Sequence, residues 1–263
     1  YISVILNLST DHLERHETLK KYFNTKLKIF DNAKHKIINN NLECSKKGTT
    51  FDVKNNSIYV NNRSIENLEF KNYNFISYKD EKYKINGRHE AYNLSACIAV
   101  ISILGLSIDE IMLGFSKRSH LSHRLERFCT YDGVTYINDS KSTNSDSTFN
   151  ALESVEGNIV LIMGGDNKKI SYNALKNTIN NKVKLLILIG ENREYVNNQL
   201  SVNIDTILLE TLKDATDYIF ANLKSNCTVL FSPGSSSFSL YKNFEHRGNH
   251  FKTLVSNYVL GKT

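Results

Sequence analysis

The run Asn138-Asp-Ser-Lys-Ser-Thr-Asn144 decides how the second half of the chain is interpreted. It follows the alternating apolar run Val134-Thr-Tyr-Ile137, which predicts a strand, and it precedes Ser147-Thr-Phe-Asn-Ala-Leu152, which predicts the start of a helix. One strand-to-helix loop therefore concentrates a carboxylate, a lysine and several hydroxyl and amide groups. Open α/β sheets bind ligands at the carboxyl ends of their strands. By itself, the loop predicts contact with an anion or a nucleotide.

Apolar runs and amphipathic segments alternate around this loop. Asp132-Gly133 predicts a hairpin before it. Beyond it, strands are predicted at Ile159–Met163, Leu185–Ile189 and Thr228–Ser232, and helices at Tyr172–Ile179, Arg193–Leu200, Leu212–Leu223 and Leu240–Leu260. Continuous apolar strands that alternate with helices indicate a parallel sheet covered on both faces, and hence an α/β fold.

The N-terminal part is predicted to form a domain of its own. Its expected elements are a strand at Ser3–Leu8, a helix at Glu17–Ala33, short antiparallel strands within residues 35–85, and helices at Leu94–Leu104 and Ile108–Phe115. The polar, serine-rich stretch Ser116–His123 predicts a linker. We therefore expect two domains that are joined within this stretch.

Composition narrows the class of protein. The chain has 263 residues, 40% of them apolar, and its 33 Lys and Arg against 27 Asp and Glu give a net charge of +6. This mild charge suits anionic small molecules, and no basic cluster interleaved with aromatic residues indicates nucleic acid. The scattered cysteines contain no C-x-x-C pair, which favours a reducing cytoplasm over a zinc or disulfide framework. The apolar run Leu94–Leu106 is too short to span a membrane.

Two features of the first domain allow more than one interpretation. Asp11, His12, Glu14 and His16 could hold a metal, because the two histidines have the spacing of ligands on one helix face. The run lacks the H-E-x-x-H arrangement, so a solvated polar turn is the simpler interpretation. Lys26 is either a surface lysine of an amphipathic helix or a buried lysine whose lowered pKa would make it nucleophilic.

Two further loops of the second domain have the composition of ligand contacts. Ile162-Met-Gly-Gly-Asp-Asn-Lys-Lys169 ends a strand with two glycines, which let a backbone approach a ligand. Ser232-Pro-Gly-Ser-Ser-Ser-Phe238 presents hydroxyl and N–H groups that favour a carboxylate or a phosphate. An ordinary strand-to-helix turn and an ordinary helix start are equally open. Without a G-x-S-x-G sequence, a serine hydrolase is not supported.

Three stretches gain meaning when they are taken together: Leu121-Ser-His-Arg-Leu-Glu126, Ile137-Asn-Asp-Ser-Lys-Ser-Thr-Asn144, and the run from Leu230 to Gly248 that ends in Tyr-Lys-Asn-Phe-Glu-His-Arg-Gly. They resemble the Mur ligases, and within that family the D-glutamate-adding, MurD-type enzymes. The run Leu6–His16 and the helix carrying Asn24–Leu27 are similar to the central domain of the same family. The resemblance implies a partial central ATPase domain at 1–120, followed by a Rossmann-like parallel-sheet C-terminal domain at 121–263 that binds the amino acid.

The activity implied by the resemblance is ATP-dependent amide formation, which adds D-glutamate to UDP-N-acetylmuramoyl-L-alanine in peptidoglycan synthesis. A substrate carboxylate attacks the γ-phosphate of ATP, and the amino group of D-glutamate then displaces phosphate from the acyl phosphate. Charge on the transferring phosphoryl group calls for Mg²⁺ and a cationic side chain. The resemblance further implies a cytoplasmic monomer that binds these small-molecule substrates, without nucleic acid and without membrane insertion.

The resemblance also implies roles for individual residues. Catalysis would involve Lys26, His12, Arg124 and Lys141, with His12 and, if carbamylated, Lys26 as metal ligands. ATP would be contacted by Asn93, Arg124, Asp139 and Lys141. D-glutamate would be contacted by Thr143, Lys168, Ser237, Phe238 and Phe244. Asp139 and Lys141 would face ATP, and Thr143 the incoming amino acid, in a cleft between the domains.

Some features depart from the family pattern. The 263 residues contain neither the family's P-loop nor its UDP-sugar domain, and Gly261-Lys-Thr263 only imitates the end of a P-loop. We therefore expect a fragment of a longer ligase, without ligase activity by itself. Glu90 stands where this type usually has asparagine.

Two alternatives to this ligase remain. One is a non-catalytic module that binds a nucleotide or an amino acid. The other is a folylpolyglutamate-type relative, against which the combination of Ser237 with Tyr241-Lys-Asn-Phe244 argues.

Overall fold

The computed structural model describes residues 1–8, 16–42, 47–71, 75–85, 87–118, 121–166, 170–223 and 226–261. The chain forms two compact units, Tyr1–Ser119 and His120–Thr263. Each unit is built around its own sheet, with seven strands in the first and six in the second. The mixed α/β architecture and the parallel sheet of the second unit confirm the predicted fold class.

The sheet of the first unit follows chain order. Its strands are β1 (Ile2–Ile5), β2 (His35–Asn39), β3 (Thr49–Lys54), β4 (Ser57–Val60), β5 (Arg63–Lys71), β6 (Phe75–Tyr78) and β7 (Glu81–Lys84). From β3 to β7 neighbouring strands are antiparallel, as predicted. The prediction was wrong for β2, which is parallel to both β1 and β3. The chain makes the crossover that parallel pairing requires by passing through a helix between β1 and β2.

Paired asparagines set the register of this meander. Asn55 and Asn56 have φ of 50° and 58°, and Asn61 and Asn62 have φ of 50° and 61°. Two successive left-handed residues form the tight hairpin turn whose twist matches that of the strands, and asparagine tolerates this conformation well. The turns join β3 to β4 and β4 to β5, which explains why asparagines occur in pairs at these two places.

Three helices accompany the described part of this sheet. They are α1 (Leu19–Leu27), α2 (Arg88–Leu104) and α3 (Ile108–Ser116). The helix predicted at Glu17–Ala33 is shorter than expected, because Thr18 caps its start and a 3₁₀ turn at Lys28–Phe30 replaces its end. α2 buries Ala91, Leu94 and Ile98 in the core beneath the sheet.

The sheet of the second unit has the strand order β12-β11-β10-β13-β9-β8. Its strands are β8 (Glu126–Tyr131), β9 (Val134–Asn138), β10 (Ile159–Gly165), β11 (Val183–Gly190), β12 (Asp205–Leu208) and β13 (Cys227–Phe231). Only β8 is antiparallel to its neighbour, through the hairpin predicted at Asp132-Gly133. β12 was not predicted.

Helices cover both faces of this sheet, as predicted. They are α4 (Ser145–Ser154), α5 (Lys176–Lys182), α6 (Arg193–Leu200), α7 (Leu212–Asn222) and α8 (Phe244–Gly261). Alternate residues of β10 enter two different cores, one shared with α4, α5 and α6 and the other with α7 and α8. α8 begins at Phe244 and not at Leu240 as predicted, because the Asn243 side chain accepts a hydrogen bond from His246 N at 2.8 Å and caps the helix there.

The strand order creates a crevice between β10 and β13. From β10 the chain proceeds to β11 and β12, and then returns to form β13 on the other side of β10. The segments that leave β10 and β13 lead to helices on opposite faces of the sheet. Such a reversal of strand order opens a crevice at the carboxyl ends of the two strands, where open α/β sheets bind ligands.

Candidate functional site

A small concavity lies at the carboxyl end of this sheet. Its lining comes from the ends of β10 and β11, from the start of α7 and from the segment after β13, and comprises Gly164, Gly165, Ile189, Gly190, Glu210, Leu212, Ser236, Ser237, Ser239, Leu240, Tyr241 and Arg247. The two loops that the sequence singled out as ligand contacts therefore begin at the same crevice.

Glycine is required where β10 ends. Gly165 has φ of 155°, and a Cβ at this position would lie 2.6 Å from the carbonyl oxygen of Ser236. Gly164 has φ of 112°, and its backbone N–H donates to Pro233 O at 2.8 Å. The glycine pair thus lets β10 lie directly against the segment that follows β13.

We call that segment, Ser232–Ser239, the serine loop. Beneath it, the hydroxyl groups of Tyr172 and Ser235 are 2.6 Å apart, and the Asn192 amide donates to Ser235 Oγ at 2.8 Å. The same Asn192 side chain accepts from Gly165 N at 2.9 Å. These three side chains are buried and connect the ends of β10 and β11 to the serine loop.

Arg247, on α8, connects the serine loop to the β9 loop, which comprises residues 139–144. Its side chain is 2% exposed and donates to the carbonyl oxygens of Ser235 at 2.9 Å, Ser236 at 3.0 Å and Ser140 at 2.9 Å. Its Nε donates to Ser140 Oγ at 3.1 Å. Burial lowers the pKa of Arg247 to about 10, so the group remains a cation at neutral pH. A buried cation thus fixes the backbone of both loops.

Asp139, the first residue of the β9 loop, is buried, with 5% of its surface exposed. Its carboxylate accepts hydrogen bonds from the Ser142 hydroxyl, from Ser232 Oγ at 2.8 Å and from Leu125 N at 3.1 Å. Burial raises the pKa of Asp139 to about 6, although these hydrogen bonds act in the opposite direction. In this arrangement the side chain joins three segments of the unit, and its contact with a nucleotide stays a prediction.

The other residues predicted for the second unit lie at different depths. Ser237 is 4% exposed and lines the concavity, whereas Phe238 is 72% exposed. Phe244 is the first residue of α8, and its ring contacts the Lys141 ammonium group. Thr143 is half-buried next to Asn144, which caps α4, and Arg124 is exposed. Lys168 lies outside the described residues.

The residues predicted for the first unit are less informative. Lys26 is exposed, with its ammonium group 5.4 Å from the centre of the Tyr22 ring, so the alternative of a buried lysine is wrong. Asn93 is exposed on α2. Glu90, the departure from the family pattern, forms an ion pair of 2.8 Å with Arg118.

The predicted metal ligands, His12 and carbamylated Lys26, stay a prediction. His12, with Asp11 and Glu14, lies outside the described residues. Across the described ranges, no three His, Cys, Asp or Glu side chains are grouped as they would be around a metal ion. No helix among the described residues has the length and apolar content to cross a membrane.

Sequence reasoning missed Arg247, Asn192 and Tyr172 as site residues. Arg247 was quoted only as part of the run that ends at Gly248. Tyr172 was interpreted as the first residue of a helix, and Asn192 lay in the turn between a predicted strand and a predicted helix. Their partners are distant in the chain: Asn192 and Tyr172 are 43 and 63 residues from Ser235. No local pattern identifies such contacts.

Comparison with known proteins agrees with the geometry. Residues 1–101 match the family model of the Mur ligase middle domain, and residues 123–234 match that of the Mur ligase glutamate ligase domain. Similar curated proteins include UDP-N-acetylmuramoylalanine--D-glutamate ligases from Prochlorococcus marinus (strain MIT 9312), at 33% identity over 97% of this chain, and from Alkaliphilus metalliredigens, at 30% identity over 97%. The chain spans 58% and 60% of the length of these two relatives.

Solved structures share the fold. MurF from Thermotoga maritima in complex with ADP superposes with a TM-score of 0.70 at 13% identity, covering 100% of this chain and 63% of that one. FolC from E. coli in complex with DHPP and ADP superposes with a TM-score of 0.66 at 16% identity, covering 98% and 62%. Both family models and the curated relatives point the same way, and the chain belongs to the Mur ligase family.

Proposed function

We propose that this chain is part of a ligase that joins D-glutamate to UDP-N-acetylmuramoyl-L-alanine at the expense of ATP. The observation that carries the proposal is the position of the serine loop. It places the buried Ser237 at the concavity formed where the strand order reverses. Support for the choice of amino acid comes from curated relatives that are D-glutamate ligases.

The chemistry would proceed in two steps. The carboxylate of the muramoyl-alanine substrate attacks the γ-phosphate of ATP and displaces ADP, which gives an acyl phosphate. The amine of D-glutamate then attacks the acyl carbon, expels phosphate and loses a proton to form the amide. In the second unit, the amino acid would be held by Thr143, Ser237 and Phe244, and the nucleotide by Arg124, Asp139 and Lys141. Mg²⁺ would neutralise charge on the phosphoryl oxygens.

The remaining parts of the proposal concern the whole protein. We propose ATP and Mg²⁺ as cofactors, His12 and a carbamylated Lys26 as contacts to the metal, and Asn93 as a contact to the nucleotide. Phe238 and Lys168 would complete the amino-acid pocket. The protein would act in the cytoplasm as a monomer, in cell-wall synthesis.

Identification of the product tests this function. The protein in its full natural length is incubated with ATP, Mg²⁺, D- or L-glutamate and either UDP-N-acetylmuramoyl-L-alanine or a folate acceptor, and the products are identified by mass spectrometry. We expect D-glutamate to be added to the UDP-sugar, with one phosphate released for each amide formed. Addition of glutamate to the folate would support the folylpolyglutamate-type alternative. Binding of ATP or D-glutamate without any product would support the non-catalytic module.

A further inference from the structure

Asp166, the first residue after β10, accepts several hydrogen bonds from the serine loop. Its Oδ2 accepts a hydrogen bond from Ser236 Oγ at 2.5 Å and another from Phe238 N at 2.8 Å. Its Oδ1 accepts from Ser239 N at 2.5 Å. In addition, Asp166 N donates to Ser236 O at 3.3 Å. Both carboxylate oxygens are therefore occupied by one short segment that lies 70 to 73 residues further along the chain.

These contacts need an ionised carboxylate. Burial by itself raises the pKa of Asp166, but the hydrogen bonds from Ser236, Ser239 and Phe238 outweigh that effect and hold the pKa below its usual range. The group is consequently an anion at neutral pH. Hydrogen bonds from backbone N–H groups to an anion are shorter and stronger than those between neutral groups.

Arg247 holds the same segment from its other end. It donates to the carbonyl oxygens of Ser235 and Ser236, whereas Asp166 accepts from the N–H groups of Phe238 and Ser239. Ser237 lies between these two sets of contacts, and its own carbonyl accepts from Tyr241 N at 2.9 Å. The conformation of the backbone on each side of Ser237 is thus determined by a fixed charge.

The Ser237 hydroxyl is the group that this arrangement leaves available. Among the residues that the structure describes, none forms a hydrogen bond with it. The side chain lines the concavity. Among the described residues, no side-chain N or O atom is both fully buried and without a hydrogen-bond partner, so the Ser237 hydroxyl oxygen is accessible from the concavity. The hydroxyl can therefore donate to or accept from a ligand in the concavity.

We propose that Asp166 is a positioning residue for the amino-acid substrate. It does not touch the substrate. It fixes the backbone of Ser236–Ser239 so that the Ser237 hydroxyl and the Phe238 ring are presented to the glutamate. The inference rests on the proposed function and extends it, because it assigns to the β10 end a role in selecting the amino acid.

The substitution Asp166→Asn separates positioning from simple space filling. Asparagine has nearly the same size, but it offers one oxygen and one NH₂ group, and an NH₂ group cannot accept from a backbone N–H. Whichever way the amide is oriented, either Ser239 N or the pair Phe238 N and Ser236 Oγ loses its acceptor. Ser236→Ala removes a single hydrogen bond and serves as a milder variant. Asp205→Asn is the matched control, since Asp205 is exposed at the start of β12.

Two measurements on the full natural-length protein test the proposal. The first is the KM for D-glutamate, which we expect to rise roughly 10- to 100-fold in Asp166→Asn, since small displacements of a binding group have effects of this size. The KM for ATP and the melting temperature should change little, and Ser236→Ala should shift the KM for D-glutamate less. The second is hydrogen exchange of the Phe238 and Ser239 amides, which should be faster in Asp166→Asn and unchanged in Asp205→Asn.

The outcomes separate this inference from the function on which it rests. A wild-type protein that transfers no D-glutamate overturns the proposed function and the inference with it. If the wild type transfers D-glutamate but Asp166→Asn leaves its KM unchanged, only the inference is overturned. Unchanged exchange of the two amides in Asp166→Asn overturns it as well. A raised KM for D-glutamate together with faster exchange supports it, and an equal rise in the KM for ATP would indicate general disruption and contradict it.

Discussion

The ammonium group of Lys141 lies 3.7 Å from the centre of the Phe244 ring. Lys141 belongs to the β9 loop, whereas Phe244 begins α8, and the Ser140 hydroxyl donates to Phe244 O at 2.9 Å beside them. The proposed function assigns Lys141 to the nucleotide and Phe244 to D-glutamate. The two proposed subsites of this unit are therefore in direct contact through one cation–π pair.

This contact should be measurable as a coupling energy. In a double-mutant cycle with Lys141→Met and Phe244→Leu, we expect a coupling of about 0.5–2 kcal/mol in the free energy of unfolding, because both side chains are half-buried. Denaturant titration of the wild type, the two single variants and the double variant provides the four values. Strictly additive effects would show that the contact contributes nothing.

The buried carboxyl of Asp139 should make stability depend on pH. Because burial raises the pKa of Asp139 to about 6, the folded protein binds this proton more tightly than the unfolded chain does. The resulting stabilisation is complete below the unfolded pKa of 3.8 and is lost as the pH rises through about 6. The free energy of unfolding of the wild type, measured relative to Asp139→Asn, should therefore fall by about 2.5 kcal/mol from pH 4 to pH 7.

The comparison with Asp139→Asn removes the contributions of other carboxylates. Asp166 and Glu126, for example, have lowered pKa values and act in the opposite direction, but equally in both proteins. A difference between the wild type and Asp139→Asn that is the same at every pH would rule out the raised pKa.

Arg247 should be important for stability because it satisfies backbone groups that have no access to water. Arg247→Met keeps most of the side-chain volume but leaves the carbonyl oxygens of Ser140, Ser235 and Ser236 without this donor. We expect a loss of roughly 2–4 kcal/mol in the free energy of unfolding. Arg127→Met, at an exposed position on β8, is the control and should change it by less than about 0.5 kcal/mol. Similar losses in both variants would contradict this role.

Two glycines of α8 should respond in opposite ways to the same substitution. A Cβ at Gly248 would collide with His123 Nδ1 and lie 3.0 Å from the side-chain amide of Asn138, whereas a Cβ at Gly261 meets nothing within 4 Å. Gly248→Ala should therefore destabilise the protein by roughly 1–3 kcal/mol, despite the better helix propensity of alanine. Gly261→Ala should be neutral or slightly stabilising. Thermal unfolding of the wild type and both variants measures these changes. A Gly248→Ala protein with a raised melting temperature would contradict the close packing of α8 against His123 and Asn138.

Sequence patterns predicted most strands and helices of the second unit, because strands that are buried on both faces appear as uninterrupted apolar runs. β12 was missed by the sequence prediction because Asp205–Leu208 is a four-residue edge strand that is only partly buried. The start of α8 was placed too early because apolar Leu240 suggested helix, whereas the cap at Asn243 sets the boundary. In the first unit, antiparallel pairing was predicted from short β-like runs, and local pattern could not reveal that β2 pairs in parallel on both sides.

The candidate site could be predicted from the sequence only in part. Clustered hydroxyls and glycines marked the serine loop and the end of β10, since these residue types are visible in a short window. Asp166 and Arg247 carry no such signal, because their partners are 70 to 73 and up to 107 residues away and their roles depend on the strand order. Sequence therefore indicated which loops are candidates for ligand contact, and the fold shows how the serine loop is held in place.

The preference of the full natural-length protein for one enantiomer of glutamate tests the central claim most directly. Phosphate release is measured with ATP, Mg²⁺ and UDP-N-acetylmuramoyl-L-alanine, at matched concentrations of D-glutamate or L-glutamate. The account predicts release that depends on the UDP-sugar and is much faster with D-glutamate, and it predicts a raised KM for D-glutamate in Ser237→Ala. Preference for L-glutamate, or release that is independent of the UDP-sugar, would contradict it.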